Sequence, residues 1–207
     1  EIALRYLKTR KKDGFLNIIT IFSFTGISLG VAVLIIVMSV MNGFRNELVD
    51  KVTGFNAHVV IKPYEKTISL DANQENKLKS ISESFVFSND GEGILIVKDN
   101  TKGLLLRGYN SNDFSKLKIT KNDGFRGITI LESNHISIGN ELSFDLNLKI
   151  GDKVSILSPK GENTLIGKIP NQKVFEIKSI FKSGFAEFDR SVAFININDL
   201  EKLFDLN

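Results

Sequence analysis

The residues able to make or break bonds in this 207-residue chain do not stand at the spacings that such chemistry uses. His58 and His135 are far apart, with no third ligand type at a metal-binding interval, so each reads as a strand residue. There is no cysteine, which removes disulfides and thiolate metal sites. Aspartates and glutamates fall mostly beside lysines or in turns, the arrangement of solvated charge. Gly91-Glu-Gly93 lacks both the strand–loop–helix setting and the Lys-Ser/Thr of a phosphate-binding loop. A formal charge of +3 without a basic stripe interleaved with aromatics argues against nucleic acid. No catalytic residue, metal site or cofactor site is therefore assigned. If ATP powers this protein, another chain binds it.

The chemistry that the spacing does support is apolar and noncovalent. The stretch Ser158-Pro-Lys-Gly-Glu-Asn-Thr-Leu-Ile-Gly-Lys-Ile-Pro-Asn171 is punctuated by Pro159, Gly161, Gly167 and Pro170, with Leu165, Ile166 and Ile169 at or near its middle. It lies between two runs that read as strands. This makes it either an exposed binding loop, spanning 158–171, or part of a sheet edge.

The elements that position this stretch begin with a membrane helix. No charged side chain occurs between Asp13 and Arg45. The run from Ile18 to Met41, at 1.5 Å rise per residue, reaches about 36 Å, enough to cross a hydrocarbon core of ~30 Å. It is too long for the apolar core of a signal peptide, and no small-x-small cleavage pattern follows it. The chain divides accordingly into an amphipathic interfacial segment at 1–14, a transmembrane helix at 15–44 and a helical stalk at 45–54, where Phe44, Leu48 and Val52 recur at helical spacing and Gly54 supplies a stop. Arg5, Lys8, Arg10, Lys11 and Lys12 precede the span, so the N-terminus is expected on the cytoplasmic side and the remainder is exported. Ser23, Gly26 and Gly30 share one helix face, the small-residue pattern that admits a neighbouring helix, although such spacing also arises by chance.

Residues 55–207 read as one α+β domain. Strands are expected at His58–Lys62, Gly93–Val97, Gly103–Arg107, Val154–Leu157, Val174–Phe181 and Ser191–Ile195. Helices are expected at Asp71–Glu83, Gly139–Leu146 and Asn198–Leu206, the last with Asn198 as its N-cap. Gly151-Asp-Lys153 reads as a turn feeding a strand.

Four blocks carry a family resemblance: Ile2-Ala-Leu-Arg-Tyr-Leu, then Ile27-Ser-Leu-Gly-Val-Ala with Ser39-Val-Met-Asn-Gly-Phe-Arg45, then Ile138-Gly-Asn-Glu-Leu with Leu148-Lys-Ile-Gly-Asp-Lys-Val154, then Gly167-Lys-Ile-Pro-Asn-Gln172. Together these resemble the LolC/LolE permeases, the membrane subunits of the lipoprotein-releasing ABC transporter. The resemblance covers essentially the whole chain. It implies an inner-membrane protein whose main domain is periplasmic and has the permease core fold shared with macrolide exporters. Family members carry further membrane helices after that domain, so the chain reads as an N-terminal portion. The resemblance further implies a separate ATP-binding subunit holding ATP and Mg, a second permease subunit (LolC/LolE-type or an identical copy), lipoprotein substrates and the periplasmic carrier LolA.

In LolC-like members a protruding hook binds that carrier. Pro159, Leu165, Ile166, Ile169 and Pro170 fall in the matching place, and Gln172 and Lys173 match a polar-basic pair that supports docking. Val37, Val40, Met41 and Phe44 match the end of the span that lines the lipoprotein cavity; ordinary lipid-facing positions are the alternative for these four. An efflux permease of the macrolide-exporter kind and a non-transporting anchored regulator resembling the cell-division permease homologue remain alternatives for the chain.

Overall fold

A computed structural model describes residues 14–55, 59–63, 70–82, 85–164 and 167–206. The chain forms two units, divided between Asp50 and Lys51, and each is taken by itself.

Helix α1 (Gly14–Phe55) is 42 residues in one unbroken run, and its residues up to Asp50 are the described part of the first unit. From Ile18 to Val49 it has the length and apolarity to cross a membrane, and none of it is buried. A helix that served a water-soluble core would hide one stripe and show a polar one. Here Ile21, Phe22, Ile27, Leu34, Ile35 and Val40 are exposed all round the axis, which suits lipid or other helices. The span expected at 15–44 and the stalk expected at 45–54 belong to this single helix, and Gly54 lies inside its last turn.

In the second unit α2 (Ala72–Ile81) opens with a capping box, in which the Asp71 backbone N–H donates to the Gln74 side chain at 3.0 Å. The remaining elements are β1 (Ser88–Val97), β2 (Asn100–Tyr109), two 3-10 turns (Phe114–Lys116 and Lys118–Lys121), β3 (Arg126–Gly127), β4 (His135–Gly139), α3 (Asn140–Asp145), β5 (Lys153–Thr164), β6 (Gly167–Phe181), α4 (Ala186–Ser191), β7 (Val192–Asn196) and α5 (Ile197–Phe204). The strand pairings run β6–β4–β7–β2–β1–β5 and return to β6, so six strands close on themselves while β3 flanks β6. Closure depends on β6, whose 15 residues pair with β5 through their first part and with β4 from Glu176 onward.

The two sides of β7 face different cores, which is why its run of apolar residues does not alternate with polar ones. Ala193 and Ile195 join Leu95, Leu106, Ile138, Ile156, Phe175 and Ile177 inside the closed sheet, with Leu200 and Leu203 of α5 packed against them. Val192 and Phe194 face Tyr109, Phe114, Leu131, Phe181 and Phe188. At the end of β4, Gly139 lies so close to α4 that an added Cβ would stand 2.0 Å from the Asp189 carbonyl oxygen. Gly151, at φ +98°, makes the turn into β5, a backbone conformation that favours glycine.

Several expectations require correction. Residues 59–63 pair with no strand among the described residues, and 56–58 lie outside them, so His58–Lys62 is not a described strand. The N-cap of α5 is Asn196, whose side chain accepts the Asn198 N–H at 3.0 Å. The cap therefore lies two residues ahead of the expected Asn198. Of the two readings of 158–171, a loop or part of a sheet edge, the second holds: most of its described residues are paired between β5 and β6.

Asp189 is buried, and both the Ser183 N–H (3.0 Å) and the Ser183 hydroxyl (2.5 Å) donate to its carboxylate. Burial pushes this carboxyl above the ordinary aspartate value, and the Ser183 bonds offset part of that rise. The folded state thus holds the proton more tightly than the unfolded chain. The associated stability is complete below the unfolded value of about 4 and is lost as pH rises through the raised folded value. Asp189→Asn, which keeps one acceptor oxygen, should therefore gain on the parent protein as pH rises across that window. Melting temperatures of both proteins at successive pH values check this; a constant difference between them would count against it.

Candidate functional site

The site grows out of the β5–β6 hairpin. From Lys153 to Leu157, β5 pairs with β6 residues Gln172 to Glu176, and Ile94–Ile96 of β1 flanks its other edge. Beyond Leu157 the register shifts, and pairing resumes with Gly161 opposite Pro170 and continues to Thr164 opposite Gly167. Ser158, Pro159 and Lys160 occupy the interruption. Neither β1 nor β4 accompanies this outer part, so it leaves the sheet as a two-stranded arm. A proline lacks the N–H that a central strand must donate, and both arm prolines sit where a ribbon edge or an irregularity tolerates that loss.

Strand alternation then sorts the expected site residues onto two faces. Pro170, Gln172 and Val174 are exposed on one side. The Gln172 side-chain amide donates to the Ser155 hydroxyl at 2.7 Å. On that side, Ile94 of β1 is also exposed, opposite Leu157. Asn171, Lys173 and Phe175 lie on the other face. The Asn171 amide donates to the Leu203 carbonyl at 3.4 Å, and the Lys173 ammonium donates to the buried Asp199 carboxylate at 2.6 Å while lying 5.6 Å from the centre of the Phe175 ring. Gln172 and Lys173, read together as a docking pair, therefore point in opposite directions. Pro159 is exposed in the register shift, and Ile169 is 53% exposed on the arm. Leu165 and Ile166 lie outside the described residues.

On α1, Val37, Val40, Met41 and Phe44 line one shallow apolar groove of about 270 Å³ together with Ile36. A methyl group added at Gly26 or Gly30 would meet nothing within 4 Å, so that face is open in the single chain. The Thr25 hydroxyl on the same helix donates back to the Ile21 carbonyl at 2.8 Å, satisfying itself without a neighbour. Among the described residues no cluster of three His, Cys, Asp or Glu could hold a metal ion.

Asp199 is the residue that sequence reasoning passed over. It was legible only as an acid in the first turn of a helix. Its burial, and its bonds to the Ser133 hydroxyl (2.9 Å), the Asn134 N–H (2.6 Å) and Lys173, depend on which strands meet there. Val174 was within reach, since it alternates with Phe175 in a strand correctly expected.

Residues 20–206 match the family described as the MacB-like periplasmic core domain. The chain belongs to that family. The lipoprotein-releasing system transmembrane protein LolC of Neisseria meningitidis serogroup B is 31% identical over 214 residues, covering 100% of this chain and 51% of that one. LolC of Xylella fastidiosa strain Temecula1 is 27% identical over 217 residues with the same coverage. The chain thus spans about half the length of the curated relatives it matches. Among solved structures, the extracellular domain of the noncanonic ABC-type transporter YknZ from Gram-positive bacteria aligns with a TM-score of 0.43 at 18% identity, over 66% of this chain and 67% of that one. The resemblance to LolC/LolE permeases read from the sequence is borne out, as is the α+β core fold behind an N-terminal apolar helix. This periplasmic core domain, with its apolar helix and LolC relatives, makes the chain an inner-membrane protein.

Proposed function

We propose that the chain belongs to the permease subunit of an ABC transporter that releases lipoproteins from the inner membrane, and that its β5–β6 arm docks the periplasmic carrier LolA. One observation carries this reading: a chain that aligns from end to end with the first half of LolC projects a two-stranded arm beyond its sheet, with Ile169, Pro170 and Gln172 exposed on it. Pairing along the arm fixes its backbone in advance, so little conformational entropy is lost when an apolar cleft closes on it. The orientation follows the flanking charges, with the N-terminus cytoplasmic and the arm periplasmic. A separate subunit binds ATP and Mg, and a second permease copy or homologue completes the pore. Gly26 and Gly30 supply a contact face for another helix. The groove at Val37, Val40, Met41 and Phe44 receives acyl chains, for which a flexible methionine among branched aliphatics is suited.

Capture of LolA by the detergent-solubilised protein tests the arm. Ile169→Asp combined with Pro170→Gly should weaken capture about tenfold or more, equivalent to ~1.4 kcal/mol or above. Undiminished capture would sink the docking assignment, and no capture by the unsubstituted protein would favour the efflux or regulator alternatives.

A further inference from the structure

Family resemblance groups Lys173 with Gln172 as a docking pair, but the two side chains leave β6 on opposite faces. Lys173 reaches inward across the Phe175 ring to Asp199, itself only 1% exposed at the start of α5. One Asp199 oxygen accepts from Lys173 and from the Ser133 hydroxyl, and the other accepts the Asn134 N–H. A single buried carboxylate therefore joins three segments: the root of the arm, the turn before β4 and the first turn of α5. Immediately outward, Asn171 donates to the Leu203 carbonyl near the other end of the same helix. The arm is thus fastened along one side of α5 by two successive inward-facing residues, whereas its opposite face, with Pro170, Gln172 and Val174, is open.

We propose that Lys173 is a positioning residue, which clamps the root of the arm to α5 through Asp199. The pairing fits this role physically. Ion pairs in water contribute little, but a carboxylate removed from water and satisfied by three donors holds its partners in a fixed geometry. The lysine's ammonium also stands 5.6 Å from the centre of the Phe175 ring, a second contact on the same side of the strand. With the clamp released, the arm would still be a hairpin, but its direction relative to the sheet would no longer be fixed.

Two substitutions separate clamp from contact. Lys173→Met keeps the stem and removes the charge. Asp199→Asn keeps an oxygen for the Asn134 N–H and an amide that can donate to the Ser133 hydroxyl, so it removes chiefly the lysine partner. Hydrogen exchange of the full chain in detergent is the first readout and needs no partner. Exchange at amides in 167–173 should rise about tenfold in either variant, and no further in the double variant, while β7 stays protected. Unchanged exchange at these amides in Lys173→Met would overturn the proposal. LolA capture is the second readout and rests on the reading above. Because Asp199 is too buried to meet a partner, Asp199→Asn should weaken capture as much as Lys173→Met does. Capture weakened by Lys173→Met alone, with exchange unaltered, would make Lys173 a direct contact and overturn the clamp. If Asp199→Asn exposes β7 to exchange, the decision falls to Lys173→Met alone. Absence of capture by the unsubstituted protein counts against the arm as a docking element and leaves the exchange result standing.

Discussion

Gly139→Ala should destabilise the α+β unit by about 3 kcal/mol, the upper end of the range for overpacking a closed site. The cause is room, not conformation. At φ −74° and ψ 154° any residue could adopt this backbone. A methyl group, however, would lie 2.0 Å from the Asp189 carbonyl oxygen and 2.5 Å from the Asp189 carbonyl carbon and Cα. These are backbone atoms of α4 and cannot turn away as a side chain would. Relief requires moving α4 away from the start of α3, which would strain the ion pairs from Arg190 to Glu141 (3.6 Å) and Asp145 (3.2 Å). Urea denaturation followed by a signal from the α+β unit checks this, with a lower midpoint at an unchanged slope expected. A loss below about 1 kcal/mol would mean that the helices separate more easily than their packing indicates. The Ile138-Gly139 pair, part of the family resemblance, thereby has a physical reason that requires no ligand.

Phe194→Ala should cost about 3–5 kcal/mol. Phe194 is 1% exposed on β7, and its ring centre lies 4.9 Å from that of Phe181, 5.2 Å from Phe114, 5.9 Å from Tyr109 and 6.4 Å from Phe188. It is the ring that joins the two 3-10 turns, the end of β6 and α4 into one cluster. Truncation leaves a cavity walled by aromatic rings on elements fixed elsewhere, so collapse into it is limited. The melting temperature should fall by roughly 10 °C, while Phe194→Leu, which refills most of the volume, should lose less than half as much. Equal losses for the two substitutions would show that ring geometry, and not volume, dominates here.

What the sequence revealed follows from how local each signal is. The uncharged run in α1 reports its environment residue by residue. The stretch at β7 has no polar alternation because both of its faces are covered, and such a run can be read without knowing what covers it. Of β4, only His135 was read as a strand residue, and the extent of the strand could not be found this way. It is five residues long, begins with His135 and carries the buried Ser137, and only its pairing between β6 and β7 makes it a strand. The arm stayed open between loop and sheet edge because Pro159, Gly161, Gly167 and Pro170 are breakers when judged against a strand flanked on both sides, and the outer part of this ribbon is not so flanked. The functional surface was half legible. Pro170 and Gln172 are exposed as expected, but adjacency in sequence concealed that Lys173 leaves the strand on the opposite face, toward Asp199. Alternation within Val174–Phe181, extended two residues toward the N-terminus, already implied it. Asp199 could not be recognised, because its importance lies in three partners from distant parts of the chain.

The unbroken course of β6 has a mechanical consequence. Its 15 residues span about 50 Å at the usual strand rise, with the outer end in the arm and the inner end wedged between β4 and β3. A load on the arm directed along the strand is borne in shear by many ladder hydrogen bonds at once, which yield together or not at all. A sideways load meets only the local bonds at the root. The arm is therefore stiff to traction by virtue of the ladder, whereas its hold against bending is concentrated in the few bonds that fasten its root to α5.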